Sequence, residues 1–231
     1  IVVRLVGSEM CIRDSANIVP WHFLRSRKGI KLIWIDPDEN GQISLDMIEK
    51  KISSKTKMVC ITHMSNVFGS ILDVKKICKA LKERGIVTVL DGSQAIVHLE
   101  INVEDIGCDF YTFTGHKLFG PTGTGVLYVN KKRINEMVPF NGGGEMIRSV
   151  TKDDVIYNNS PFLFEAGTPG IAEIIGLGAA IDFVQNLDRK SVLEYEMSIS
   201  DYTRTELEQL DWLVKHCFHK DNLAIFSFSM E

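Results

Sequence analysis

An alternation along the chain constrains its fold more than any other feature. Short apolar runs at residues 31–35, 58–62, 86–90, 110–113 and 125–129 are separated by stretches of helical period. Strands that alternate with helices in this way build βαβ units around a mostly parallel sheet flanked by helices. The run IVTVL at 86–90 is apolar on both faces, as a central strand covered on each side requires. Punctuation agrees with the pattern: Ser44 stands as an N-cap before LDMIEKKI, VKKICKALKERG follows Asp73, and Gly85 closes that second helix. A helical pattern runs from Gly170 to Gln185, and Ser191 opens a longer amphipathic helix that ends near Leu213. LAIFSFSM then reads as a strand over 223–228, with Phe226 and Phe228 alternating.

Both ends carry expectations of their own. The opening IVVRLVGSEMCIRDS has neither a signal-peptide layout nor a transit-peptide pattern. It matches a translated sequencing-adapter string, so residues 1–15 are set aside; the other reading is a genuine strand over 1–5. At the far end, a strand over 223–228 with nothing after it to pair with points to a chain cut inside a second domain. The expected organisation is therefore a partial large domain over 16–185 and the start of a truncated C-terminal α+β domain over 186–231.

Composition narrows the function classes. The net charge of −4 comes without a basic run, which argues against nucleic acid and membrane surfaces as partners. Residues 174–181, the longest clean apolar stretch, are far too few to span a bilayer. Cys11, Cys60, Cys78, Cys108 and Cys217 are odd in number and share no metal-type spacing, which suits reduced thiols in a cytoplasmic setting. His216 and His219 lack a third ligand, and no metal is expected.

Position then singles out two residues. Asp91 directly follows IVTVL, and Lys117 lies four residues beyond Phe113, so both fall at the carboxyl ends of neighbouring strands, where open α/β sheets bind ligands. An amine and a carboxylate converging on one pocket suit an electron-sink cofactor, the amine forming an imine and the carboxylate keeping a ring nitrogen protonated. The plainer alternatives are a helix cap for Asp91 and a solvated loop lysine for Lys117. GPTGTG lacks the GK[ST] ending of a Walker loop. Residues 142–144 read as a glycine loop without a chemical role.

Four motifs in order, LDGSQA, TGHKLFGPTGTGVLYV, NGGGEMI and FEAGTP, resemble the class V aminotransferase family of fold-type I pyridoxal 5′-phosphate (PLP) enzymes. Within it they resemble the group II cysteine desulfurases and selenocysteine lyases, from about Ala16 to Glu231. The resemblance implies the fold-type I PLP-dependent transferase large domain, with PLP as cofactor. It makes Lys117 the Schiff-base lysine, pairs Asp91 with the pyridinium nitrogen, and has Gln94 donating to the cofactor's phenolic oxygen. Thr114 and His116 resemble phosphate ligands. Asn66 resembles an asparagine near the phenolic oxygen and the substrate carboxylate. Thr168 resembles a threonine that reaches the phosphate of the other subunit, which implies a homodimer. The implied substrate is L-cysteine or L-selenocysteine, with the sulfur passing to an acceptor protein for iron–sulfur cluster assembly; kynureninase, another aminotransferase or a non-catalytic truncated product are the competing readings.

The chain also departs from that pattern. Arg13, Asp14 and Ser15 stand where the family has a histidine that stacks on the cofactor. The family's N-terminal phosphate-binding threonine region has no counterpart, and its nucleophilic cysteine and carboxylate-binding arginine would lie past Glu231. Cys60, Cys78, Cys108 and Cys217 do not match that nucleophile.

Overall fold

The computed structural model describes residues 2–4 and 15–230. They form two compact units, Ile1–Phe113 with Leu187–Glu231, and Thr114–Asn186. This grouping differs from the division expected near residue 185, because the segment after Asn186 returns to the first half of the chain.

In order, the first stretch contains β1 (Val2–Arg4), α1 (Val19–Lys28), β2 (Ile33–Ile35), α2 (Leu45–Lys51), β3 (Met58–Thr62), α3 (Val74–Glu83), β4 (Val87–Asp91), α4 (Ala95–His98), α5 (Val103–Ile106) and β5 (Phe110–Thr114). Strands β2, β1, β3, β4 and β5 lie side by side in that order, and every pair is parallel. The α/β alternation is thus realised as expected. Residues 2–4, set aside from the sequence, pair in register with Ile33–Ile35 on one side, and Val2 and Val3 with Val59 and Cys60 on the other, as the alternative strand reading has them. Two consecutive valines suit a strand whatever precedes them.

Local chemistry explains the helix ends. Ser44 Oγ accepts from Met47 N at the start of α2, and Asp73 Oδ1 accepts from Lys76 N at the start of α3. Gly85 follows α3 with φ +67°, a conformation that suits glycine. In α3, Val74, Ile77, Cys78 and Leu81 are buried, a spacing of three and four that lays one face on the sheet. Burial of each of the Val74, Ile77 and Leu81 side chains contributes about 1.5–3 kcal/mol.

The returning segment carries α8 (Arg189–Glu208), β9 (Leu213–His216) and β10 (Ser227–Met230) after the elements of the second unit, β6 (Gly125–Val129), α6 (Lys131–Ile134), β7 (Ile147–Val150), β8 (Val155–Tyr157) and α7 (Ile171–Gln185). Two expectations are corrected here. The long helix starts at Arg189, capped by Asp188 rather than Ser191, and stops at Glu208. The last strand is Ser227–Met230, not 223–228, and it does have a partner, pairing antiparallel with β9. Residues 223 and 224 are otherwise engaged: Leu223 N donates to Gly69 O, and Ala224 takes a left-handed φ of 60°. In the second unit β7 and β8 form an antiparallel hairpin. No helix among the described residues is long and apolar enough to cross a membrane.

Candidate active site

In the first unit the carboxyl ends of β3 and β4 gather the polar residues. Thr62 pairs with Asp91 in register, and His63 N donates to Asp91 O at 2.8 Å. The Asp91 carboxylate accepts from Ser93 N at 2.9 Å and is half-buried. It does not cap α4, whose N-cap is Gln94. Gly92 is required by a close approach, since a Cβ there would meet the Tyr111 ring and hydroxyl at 2.1 Å. Asn66 sits in the turn after β3, where Ser65 Oγ accepts from both Val67 N and Phe68 N. Its Oδ1 is buried without a hydrogen-bond partner among the described residues. A buried, unmatched amide oxygen costs free energy unless a donor meets it, so Asn66 is suited to a ligand.

Beneath these residues lies a pair that sequence reasoning missed. His63 Nδ1 is 3.0 Å from Tyr111 Oη, both side chains are buried, and the rings meet edge to face. Burial, with a smaller push from Cys108 and Asp91, holds the Tyr111 phenol protonated well above its ordinary range. Burial also lowers His63 from 6.5 to about 4. The unfolded chain binds a proton at this position below about pH 6.5 and the folded chain does not until about pH 4. The stability of the neutral ring is therefore complete above the upper value and is lost as pH falls towards the lower. Two to three pKa units correspond to about 3 kcal/mol. Urea unfolding of the wild type and His63→Gln should show it: between about pH 7 and pH 4.5 the wild type loses about 2–3 kcal/mol more than the variant. Parallel losses would remove His63 from the acid response.

Gln94 belongs to a second polar chain in this unit. Its Nε2 is 3.1 Å from His98 Nε2, and His98 Nδ1 is 3.0 and 3.2 Å from the two Glu196 oxygens. The spacing of Gln94 and His98, one helical turn, was a legible signal; the contribution of Glu196 from α8 was not.

In the second unit, Lys117 lies in the 3-10 turn Gly115–Leu118, half-buried. Thr114 Oγ1 is 2.7 Å from His116 Nδ1 and donates to Thr124 O at 3.4 Å, so a hydroxyl and an imidazole are held together beside the lysine. Gly115 has to be glycine, because a Cβ would stand 2.1 Å from Thr124 Oγ1 and 3.2 Å from Leu177 Cδ1 of α7. Thr168 is exposed. Its loop is fastened to the glycine loop 142–144, since Gly167 N donates to Gly144 O at 3.0 Å and a Cβ on Gly143 would touch Ala166.

The cysteines are poorly suited to nucleophilic work. Burial pushes Cys78 up to about 12 and Cys108 up to about 11, and raises Cys60 and Cys217 as well. The thiolate is the nucleophile, and burial disfavours it at all four, least at the partly buried Cys217.

The Aminotransferase class-V family model matches residues 12–231. The chain belongs to the class V aminotransferase family. Among curated relatives, this class V chain is 42% identical over 216 residues to a probable cysteine desulfurase of Xylella fastidiosa, covering 94% of the chain and 52% of that protein. Its fold matches the cysteine desulfurase CsdA of Escherichia coli with a TM-score of 0.90 at 28% identity, over 99% of this chain and 55% of that one. An apo cysteine desulfurase of Thermococcus onnurineus gives 0.89 at 31% identity, over 99% and 56%. The class V chain thus spans about half the length of the curated relatives it matches.

Proposed function

We infer that this chain is the cofactor-binding part of a PLP-dependent cysteine desulfurase, which converts L-cysteine to L-alanine and leaves the sulfur as an enzyme-bound persulfide. The likeness to a probable cysteine desulfurase, 42% identity along 94% of the chain, carries the reading. The unmatched Asn66 oxygen and the half-buried Asp91 carboxylate at the end of β4 support a ligand at that sheet edge.

When bound, PLP supplies an electron sink for the carbon from which sulfur departs. Lys117 would hold the cofactor covalently through its amine. Asp91 would keep the ring nitrogen protonated, Gln94 would donate to the phenolic oxygen, and Asn66 would lie near that oxygen and the substrate carboxylate. Thr114 and His116 would bind the phosphate, and Thr168 would reach the phosphate of a second subunit. In the reaction an enzyme thiolate attacks the substrate sulfur. The Cβ–S bond breaks as the S–S bond forms, the carbon keeps the bonding pair, and a proton completes alanine. Burial disfavours the thiolate of Cys60, Cys78, Cys108 and Cys217, and the reading assigns the nucleophile to none of them. An acceptor protein then takes the sulfur for iron–sulfur cluster assembly, in a reducing, cytoplasmic setting.

A homodimer belongs to this reading, and α7 supports it. Ile171, Ile174, Ile175 and Phe183 are exposed on a helix with few polar residues, and such a surface favours a partner.

The test supplies a reductant and a 2-oxo acid, with L-cysteine or, in a parallel assay, L-selenocysteine, to the chain completed to the length of its relatives. Alanine and sulfide should appear in equal amounts. Amino transfer to a 2-oxo acid without sulfide would replace the reading with an aminotransferase, and release of selenide with no turnover of cysteine would make it a selenocysteine lyase.

A further inference from the structure

We propose that His98, braced by Glu196, is a positioning residue that fixes the side-chain amide of Gln94; the inference rests on the reading that Gln94 faces the cofactor. A carboxylate only accepts, so the 3.0 Å contact to Glu196 puts a proton on His98 Nδ1. An amide nitrogen only donates, so the 3.1 Å contact with Gln94 Nε2 makes His98 Nε2 the acceptor. With the amide nitrogen turned to His98, the two contacts together call for a proton on Nδ1 and a free lone pair on Nε2. A ring protonated on both nitrogens would offer a donor at Nε2 and would require the oxygen of Gln94 instead. The amide nitrogen carries a second hydrogen, so the contact with His98 fixes the amide and leaves that nitrogen able to donate to a ligand.

The brace is built into α8. Arg189 Nη2 donates to Leu99 O at 2.9 Å, Leu193 packs with Leu99 against the cluster of Met64, Ala95 and Leu223, and Glu196 takes His98. Positions 189, 193 and 196 lie on one helical face, so a single face of α8 clamps the end of α4. His98 and Glu196 are also mostly shielded, with side-chain exposures of 12% and 26%, which strengthens the ion-assisted contact relative to one in open water. α4 alone, at four residues, is too short to hold Gln94 rigidly.

Two experiments test the proposal. Nitrogen NMR of the cofactor-free chain near neutral pH reads the His98 tautomer directly; protonated Nδ1 with bare Nε2 is expected, and the opposite tautomer would overturn the assignment. Absorbance of PLP bound to the protein is then recorded for His98→Phe, Glu196→Gln, Gln94→Ala and the double variant His98→Phe with Gln94→Ala. Each single change should shift the cofactor band and weaken PLP about threefold to tenfold, the scale of one hydrogen bond. If His98 acts through Gln94, the double variant should match Gln94→Ala. A band moved by Gln94→Ala and untouched by His98→Phe would sink the positioning role alone. A band unmoved by Gln94→Ala would sink the placement of Gln94 at the cofactor, and the proposal with it.

Discussion

Lys117→Ala removes the covalent attachment of PLP: after borohydride reduction the peptide containing residues 115–118 carries no pyridoxyl group, and cysteine turnover in the completed chain falls roughly 10²–10⁴-fold. Under the proposed function the amine would have two uses, as the nucleophile that holds the cofactor and as a base beside the substrate. Lys117→Arg should fail equally, because a guanidinium stays charged and cannot act in either way. Stability should change within about 0.5 kcal/mol, since the side chain is half-buried on a short turn and fills no core position. The label is mapped by mass spectrometry on wild type and variant. A pyridoxyl group on any other lysine of the wild type would overturn the assignment.

Asp91→Asn separates chemistry from folding in the same way. The structural duty of Asp91 Oδ1 is to accept from Ser93 N, and the amide oxygen of asparagine can take that bond. What asparagine lacks is the charge that favours a protonated ring nitrogen. Loss of a charged hydrogen bond costs about 1.5–3 kcal/mol, which in a barrier is a drop of roughly 10–100-fold in turnover. Thermal unfolding of the variant should stay near the wild type while its rate of alanine formation falls. Unchanged turnover would leave Asp91 with the Ser93 turn as its whole role.

The parts of the fold that were legible in the sequence are those decided locally. Ser44 and Asp73 cap helices through backbone groups three residues away, and such bonds can be read from spacing alone. The parallel strands announced themselves because burial on both faces demands unbroken apolar runs. The C-terminal strand was misplaced for the opposite reason: Leu223 is committed to Gly69, 154 positions earlier, a bond that no local pattern reveals. β9 had no counterpart in the sequence pattern because Leu213–His216 is short and mixes polar with apolar residues. At the site, Asp91 and Lys117 could be found from their place after strands, whereas Tyr111 beneath His63 and Glu196 behind His98 are meetings made only by the folded chain.

The clip between the Asn66 turn and the returning segment also has a bearing on the order of events during synthesis. Val67 O is bonded by Ser227 Oγ and Gly69 O by Leu223 N. A ribosome adding about 5–20 residues per second makes the turn roughly ten to thirty seconds before it makes its fasteners. During that interval the strands on either side can pair while the turn has nothing to hold it. The turn that carries Asn66, after a central strand, is therefore fastened only once residues 222–227 have been made.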